Sequence, residues 1–350
     1  MSRRNPNRSK PLSEQVVVVT GASSGIGLTT ARMAAARGAR VVLAARSRDV
    51  LERVAAEIRE RGGDAIAVAA DVGQRDEVQN IADAALVAFG GFDTWVNVAG
   101  LTIYGPLLKI SDEDHQRLFQ TNFWGTVYGS LIAVEHLRKR GGTLINVGSI
   151  ASDLAFPFQG MYAASKHAVK GFTDALRMEL LQEGAPVSVT LVKPTSIDTP
   201  LPNRARNYMD REPTLPPPIY RPEVVARAIL HAAIHPQRDI VVGGSGKALI
   251  AMKEFAPGLA DLLAPVVTSL QKRGKPPENP EGALHAPTRA GRTHGTQPLY
   301  ALRTSAYTRA SLHPLATTAG LVGLGLAAAA VSLVGSSIGR RESRSSRRGR

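Results

Sequence analysis

Gln15-Val16-Val17-Val18-Val19-Thr20-Gly21-Ala22-Ser23-Ser24-Gly25-Ile26-Gly27 decides the fold. Four valines in a row, without polar alternation, describe a strand buried on both faces. A glycine-rich turn follows at once, and the residues beyond it read as a helix ending near Gly38. The glycines let the chain turn tightly and approach a ligand closely, while a helix starting there offers free N–H groups and the positive end of its dipole. Such a turn cradles a pyrophosphate, with Gly21, Ser23, Ser24, Gly25, Ile26 and Gly27 as its residues. The spacing is G-x3-G-x-G rather than the general G-x-G-x-x-G, so the turn's place between buried strand and helix carries the weight.

The alternation continues outward. Strands are expected at 40–45, 65–70, 92–97, 143–147, 188–192 and 239–242, and helices at 47–61, 74–89, 112–139, 161–181 and after Pro222. Short Val/Ile runs separated by helices predict an α/β fold, a doubly wound parallel sheet of Rossmann type with helices on both faces. This places a single catalytic domain at 12–246. The second strand ends Ala44-Ala45-Arg46-Ser47. An acid at that tip would hold the ribose hydroxyls of NAD, whereas an arginine accommodates the extra phosphate of NADP. Arg46 and Ser47 therefore point to NADP(H), through charge-assisted bonds to that phosphate.

Chemistry enters at Ser149, just past the fifth strand, and at Tyr162-Ala163-Ala164-Ser165-Lys166. Residues i and i+4 share a helix face, so Lys166 can sit beside the Tyr162 phenol. A free phenol titrates near pH 10 and is a poor base at neutrality. A neighbouring ammonium is expected to lower that value and make Tyr162 a usable general acid/base. The Ser149 hydroxyl can polarise a substrate oxygen.

Together with Asp71-Val72, Asn97-Val98-Ala99-Gly100 and Asn122, in this order, the chain resembles the short-chain dehydrogenase/reductase family over roughly residues 12–246. The resemblance implies that Asp71 and Val72 border the adenine, and that Asn97, Ala99 and Gly100 stabilise the sheet centre beside the cofactor. It implies that Asn122 helps hold a proton-relay water and that Lys166 also binds the nicotinamide ribose. Pro194, Ile197 and Thr199 match the segment that meets the nicotinamide. A homo-oligomer is implied as well. One residue departs from the pattern: Thr195 stands where the family usually has glycine, which leaves the local backbone to be examined. The proline-rich 199–222 is expected to be a lid over the substrate.

Composition excludes other classes. The absence of cysteine removes disulfides and thiolate chemistry. The net charge of +14 lies entirely in the tails, because residues 11–270 carry 26 basic and 26 acidic side chains. A neutral body with few aromatics argues against a nucleic-acid surface. Residues 1–11 read as a disordered basic tail, 247–270 as a broken amphipathic helix and 271–310 as a flexible linker. Residues 311–339 lack charge, and 317–338 are long enough to cross a bilayer core of about 30 Å. With the arginine-rich 340–350, this segment is expected to attach the protein to a membrane whose cytoplasmic side holds the catalytic body. His115, His136, His167, His231 and His235 show no metal-ligand spacing and are expected to be structural.

The reading is thus an NADP(H)-dependent oxidoreductase, working on the carbonyl or alcohol of a small, hydrophobic or lipid-like molecule. A non-catalytic NADPH-binding scaffold is the rival, and an epimerase or dehydratase on the same fold a third possibility. A pure binder needs no activated phenol, and the stretch after the sixth strand leaves little room for a nucleotide-sugar domain.

Overall fold

The valine run forms strand β1, Val16–Thr20, every residue of it buried. In the computed structural model it is an interior strand of a seven-stranded parallel sheet. The other strands are β2 Arg40–Ala45, β3 Asp64–Ala69, β4 Thr94–Asn97, β5 Gly142–Val147, β6 Val187–Pro194 and β7 Asp239–Val242. Their spatial order is β7-β6-β5-β4-β1-β2-β3, so the direction of winding reverses between β1 and β4. A crevice opens at the carboxyl ends of strands at such a reversal, which is where ligands of doubly wound sheets bind. The helices are α1 Gly25–Ala35, α2 Arg48–Glu60, α3 Arg75–Phe89, α4 Asp112–Phe119, α5 Gly125–Arg140, α6 Gly160–Gln182, α7 Pro222–Ile234 and α8 Gly244–Phe255. Helix α1 packs on α7, while α5 packs on α3 and α6. Trp95, Ile81, Leu137 and Leu144 fill the main core between sheet and helices.

The structure describes residues 10–262, 264–272, 275–288, 291–296, 300–313 and 317. It divides into two units, Met1–Thr308 and Arg309–Arg350. Among the described residues no helix is long and apolar enough to cross a membrane. The expected membrane segment lies, apart from its first residues, outside the described residues, as do residues 1–9 and the arginine tail.

Three expectations change. The helix expected over 112–139 is interrupted at Gln120–Trp124 by a π-helical turn. Its apolar pattern continues through the interruption, which is why the sequence reads as one helix; π-turns of this kind occur mostly at functional sites. Helix α8 starts at Gly244, inside the expected catalytic boundary, and continues into short helices α9 Pro257–Leu262 and α10 Ala264–Gln271.

The third change concerns 271–310, read from composition as a linker. Residues 280–288 and 291–296 run as a strap across the catalytic body. Ala283 and Leu284 are buried, Leu284 among Ile103, Ile110 and Leu118. Arg206 reaches the strap at Pro280 and Glu281, and His285 pairs with the buried Asp114 at 2.7 Å. His294 meets both Asp198 and Glu223. Composition misleads here because the strap docks largely through its backbone.

Candidate active site

At the turn after β1, Gly21 and Gly25 hold positive φ angles of 67° and 51°. A β-carbon on Gly21 would lie 2.8 Å from the Ala99 Cα, and one on Gly27 would lie 2.3 Å from the Gly21 carbonyl oxygen. Only glycine lets the turn fold this closely against β4. Thr20 adds a polar tie, its hydroxyl accepting from the Val98 and Ala99 amides. Ser24 sits at the N-cap of α1 without capping it through its side chain, which leaves the helix's first amides to another acceptor.

A single cavity of about 330 Å³ joins this turn to the proposed chemistry. Gly21, Ser23, Ser24, Gly25, Ile26 and Gly27 line it, with Arg46, Ser47, Asp71, Val72, Ala99 and Gly100. Ser149, Tyr162, Lys166, Pro194, Ile197 and Thr199 line it too. Asn97 and Asn122 stand behind the wall. Asn97 accepts from the Trp95 indole at 2.8 Å and donates to Asn146 at 2.9 Å, tying β4 to β5 at the sheet centre. Asn122, in the π-helical turn, exchanges hydrogen bonds with both backbone groups of Leu101 and donates to Ser165 at 3.1 Å. The turn thereby couples the strand-end loop to the helix that carries Tyr162 and Lys166.

Tyr162 and Lys166 lie one turn apart on α6. Lys166 is buried, donates to the Val147 carbonyl at 2.9 Å and stands 5.9 Å from the centre of the Tyr162 ring. Burial pushes its ammonium down to about 8. The phenol departs from expectation: burial raises Tyr162 above its ordinary value, and only a hydrogen bond with Ser149 works the other way. Desolvation therefore outweighs that hydrogen bond, and the phenol is held as an acid. Ser149 is itself fixed, capping the short helix Ile150–Ser152 by accepting from the Ala151 amide at 3.1 Å.

Thr195, the departure from the family pattern, is accommodated by glycines elsewhere. Its side chain lies where β-carbons on Gly243 or Gly246 would stand, at 2.4 and 2.2 Å. Beyond it the proline-rich lid covers the cavity's far end, where Phe156, Leu215, Pro216, Pro217, Pro218 and Leu249 make an apolar wall. Among the histidines, His136 accepts from the Phe92 amide and His167 meets the Ala163 carbonyl; no cluster fit for a metal occurs among the described residues.

Sequence reasoning missed what faces Arg46. Its guanidinium, lowered in pKa by burial, donates to the carbonyls of Ala283, Leu284 and His285 of the strap. Ser47 points at the Thr288 carbonyl, and the Gly25 amide donates to the Arg292 carbonyl at 3.0 Å. Strap oxygens thus meet the donors that a dinucleotide phosphate would use. These groups fit NAD(P): a glycine turn that admits no β-carbon, a helix N-terminus and a guanidinium, all aimed at oxygen acceptors. Asp71 is engaged by Arg117 and by the Gly73 amide.

The family model described as short chain dehydrogenase matches residues 15–210. An uncharacterized oxidoreductase, YxnA of Bacillus subtilis (strain 168), is 45% identical over 320 residues, covering 90% of each chain. An 11-beta-hydroxysteroid dehydrogenase A of Sesamum indicum is 33% identical over 260 residues, 71% of this chain and 74% of that one. Among solved structures, a short chain dehydrogenase/reductase from Burkholderia phymatum in complex with NAD superposes with a TM-score of 0.65 at 27% identity, over 71% of this chain and 96% of that chain. The turn, the sheet order and these matches agree: the chain belongs to the short-chain dehydrogenase family, NAD(P)-dependent oxidoreductases that interconvert alcohols and carbonyls.

Proposed function

We propose that this chain is an NADP(H)-dependent reductase of a hydrophobic, lipid-like carbonyl compound, able also to run the reverse oxidation. The observation that carries the reading is the single cavity with the phosphate turn and Arg46 at one end and Ser149, Tyr162 and Lys166 at the other. The bound nicotinamide supplies the hydride for the carbonyl carbon, or accepts it from the carbinol. Everything else falls to the chain. The Ser149 hydroxyl donates to the substrate oxygen and polarises it. The Tyr162 phenol gives its proton to that oxygen as the C–H bond forms, leaving a phenolate. The buried Lys166 ammonium is placed on the same helix face to steady that charge. A phenol raised in pKa is protonated at neutrality and so ready to donate to a carbonyl oxygen.

The apolar wall under the lid supports a hydrophobic substrate, and the sesame relative's name, a hydroxysteroid dehydrogenase, points the same way. Arg46 at the tip of β2, with no acid beside it, supports NADP over NAD. The test is to compare dissociation constants of NADPH and NADH for the wild type and Arg46→Asp. The substitution sets a like charge against the extra phosphate and offers an acceptor to the ribose, so preference should move towards NADH. An unchanged ratio would leave Arg46 as a strap anchor only. Membrane attachment through 311–339, with the body on the cytoplasmic face, belongs to the same proposal.

A further inference from the structure

A second guanidinium enters the cofactor cavity from an unexpected place. Arg204 lies in the lid, as the last residue of the short helical turn Pro202–Arg204. It nevertheless reaches back to the phosphate turn, where its Nη1 donates to the Ser24 hydroxyl at 2.6 Å. Its Nε donates to the Thr288 hydroxyl at 2.6 Å and its Nη2 to the Thr288 carbonyl at 3.2 Å. All three partners are neutral oxygens. The charges around it are of its own sign: Arg46 and Arg292, which together with burial bring Arg204 down to about 10. Asp71 attracts Arg46 but is already bonded to Arg117.

Arg46 and Arg204 donate only to neutral oxygens, and the charges beside Arg204 are cations, an arrangement that an anion relieves. The anion's place is limited by geometry. Arg46 stands at the tip of β2, where the adenosine ribose of a bound dinucleotide would lie, and Arg204 is close enough to feel its charge while touching the first residue before α1. A phosphate held by Arg46 and Ser47 is therefore within the same electrostatic reach as Arg204. We infer that Arg204 is a specificity-determining residue of the cofactor site, the lid's own guanidinium for the phosphate on the adenosine ribose. This rests on the NADP reading of Arg46. It adds a physical link between lid and cofactor, because a phosphate gripped from both β2 and the lid draws the lid down over the substrate end.

The strap's part follows. In the chain by itself, Thr288 and the carbonyls of 283–285 serve as the acceptors of Arg204 and Arg46. A phosphate dianion makes charge-assisted bonds about twice as strong as those to neutral oxygens, so it takes over both guanidiniums.

The test uses full-length protein and calorimetric dissociation constants for NADPH, NADH and adenosine 2′-monophosphate, in wild type, Arg204→Gln, Arg204→Lys and Thr288→Val. Arg204→Gln should weaken NADPH and adenosine 2′-monophosphate by about 10- to 100-fold, the range of a lost hydrogen bond to a charged group, and NADH by no more than about twofold. Arg204→Lys, which keeps the charge without the fork, should fall between wild type and Arg204→Gln. Thr288→Val removes a hydroxyl that competes with the phosphate for Arg204 and should move the preference towards NADPH, never towards NADH. Equal loss of both dinucleotides, or no loss of either, overturns the assignment. If wild type prefers NADPH while Arg204→Gln is unaffected, Arg204 alone is wrong. A wild type that binds both cofactors equally sinks Arg204 and the NADP reading together.

Discussion

The chemistry turns on the surroundings of two side chains. Burial disfavours the Tyr162 phenolate, so its proton is held until a substrate oxygen takes it. Tyr162→Phe removes only the ionisable oxygen. It should lower turnover by about 10²–10⁴, the usual worth of a positioned acid/base, while NADPH binding stays within about twofold. Single-turnover rates and dissociation constants, measured side by side, check this; retained turnover on a good substrate would end the proposed mechanism. Lys166 makes a pH prediction. Its ammonium titrates near 8 and must be charged to steady the phenolate left by proton transfer. The reduction rate should therefore be flat below pH 8 and fall as pH rises through it, with one proton lost. In Lys166→Ala that limb should vanish along with most of the activity. A profile that stays flat to pH 10 would show that the ammonium has no part in the rate.

At the scale of elements, the sequence displays some devices and conceals others. Strand β1 and its turn were legible because four valines and three glycines have one geometric use in that order. Tyr162 and Lys166 were legible because helical spacing alone brings i and i+4 together. The π-helical turn was concealed, since Thr121, Asn122 and Phe123 keep a helix-like pattern while the backbone widens around Asn122. The strap was concealed for a deeper reason: its contacts to Arg46, Ser47 and Gly25 use main-chain carbonyls, and carbonyls are the same in every residue. A side chain that could have betrayed it is Leu284, buried at 1% exposure in a stretch rich in Ala, Gly and Thr. Leu284→Ala should cost about 2–5 kcal/mol of local packing, as for other buried leucines. The strap is the element held by that packing, so hydrogen exchange across 280–296 should rise while the strands β1 and β4 keep their protection. Uniform loss of protection over the whole body would mean that Leu284 belongs to the global core instead.

Whole-molecule organisation decides where the chain can be cut. Charge and composition suggested a self-sufficient body ending near Gly246, with a linker and an anchor behind it. Contacts place the division much later, after Thr308. Ending the chain at Leu270 would remove the strap, leaving the apolar seat of Leu284 open and Arg46 and Arg204 without their strap acceptors. It would also remove Ala301–Leu302, which pairs with Ile219–Tyr220 beside the lid. A chain ended at His313 keeps all of these and discards most of the charge-free stretch. The 1–313 protein should stay soluble, melt within about 2 °C of the full chain and retain its turnover. The 1–270 protein should melt several degrees lower, since a loss of a few kcal/mol moves a domain of this size by about 2–4 °C per kcal/mol. Full-length protein should then differ from 1–313 in one respect, association with anionic vesicles or cell membranes. High-salt washes should release it if the arginines hold headgroups from outside, whereas resistance to both salt and carbonate would indicate a spanning segment. Full-length protein found wholly in the soluble fraction at low salt would overturn membrane attachment and leave 311–339 to be explained as a packing or oligomerising element.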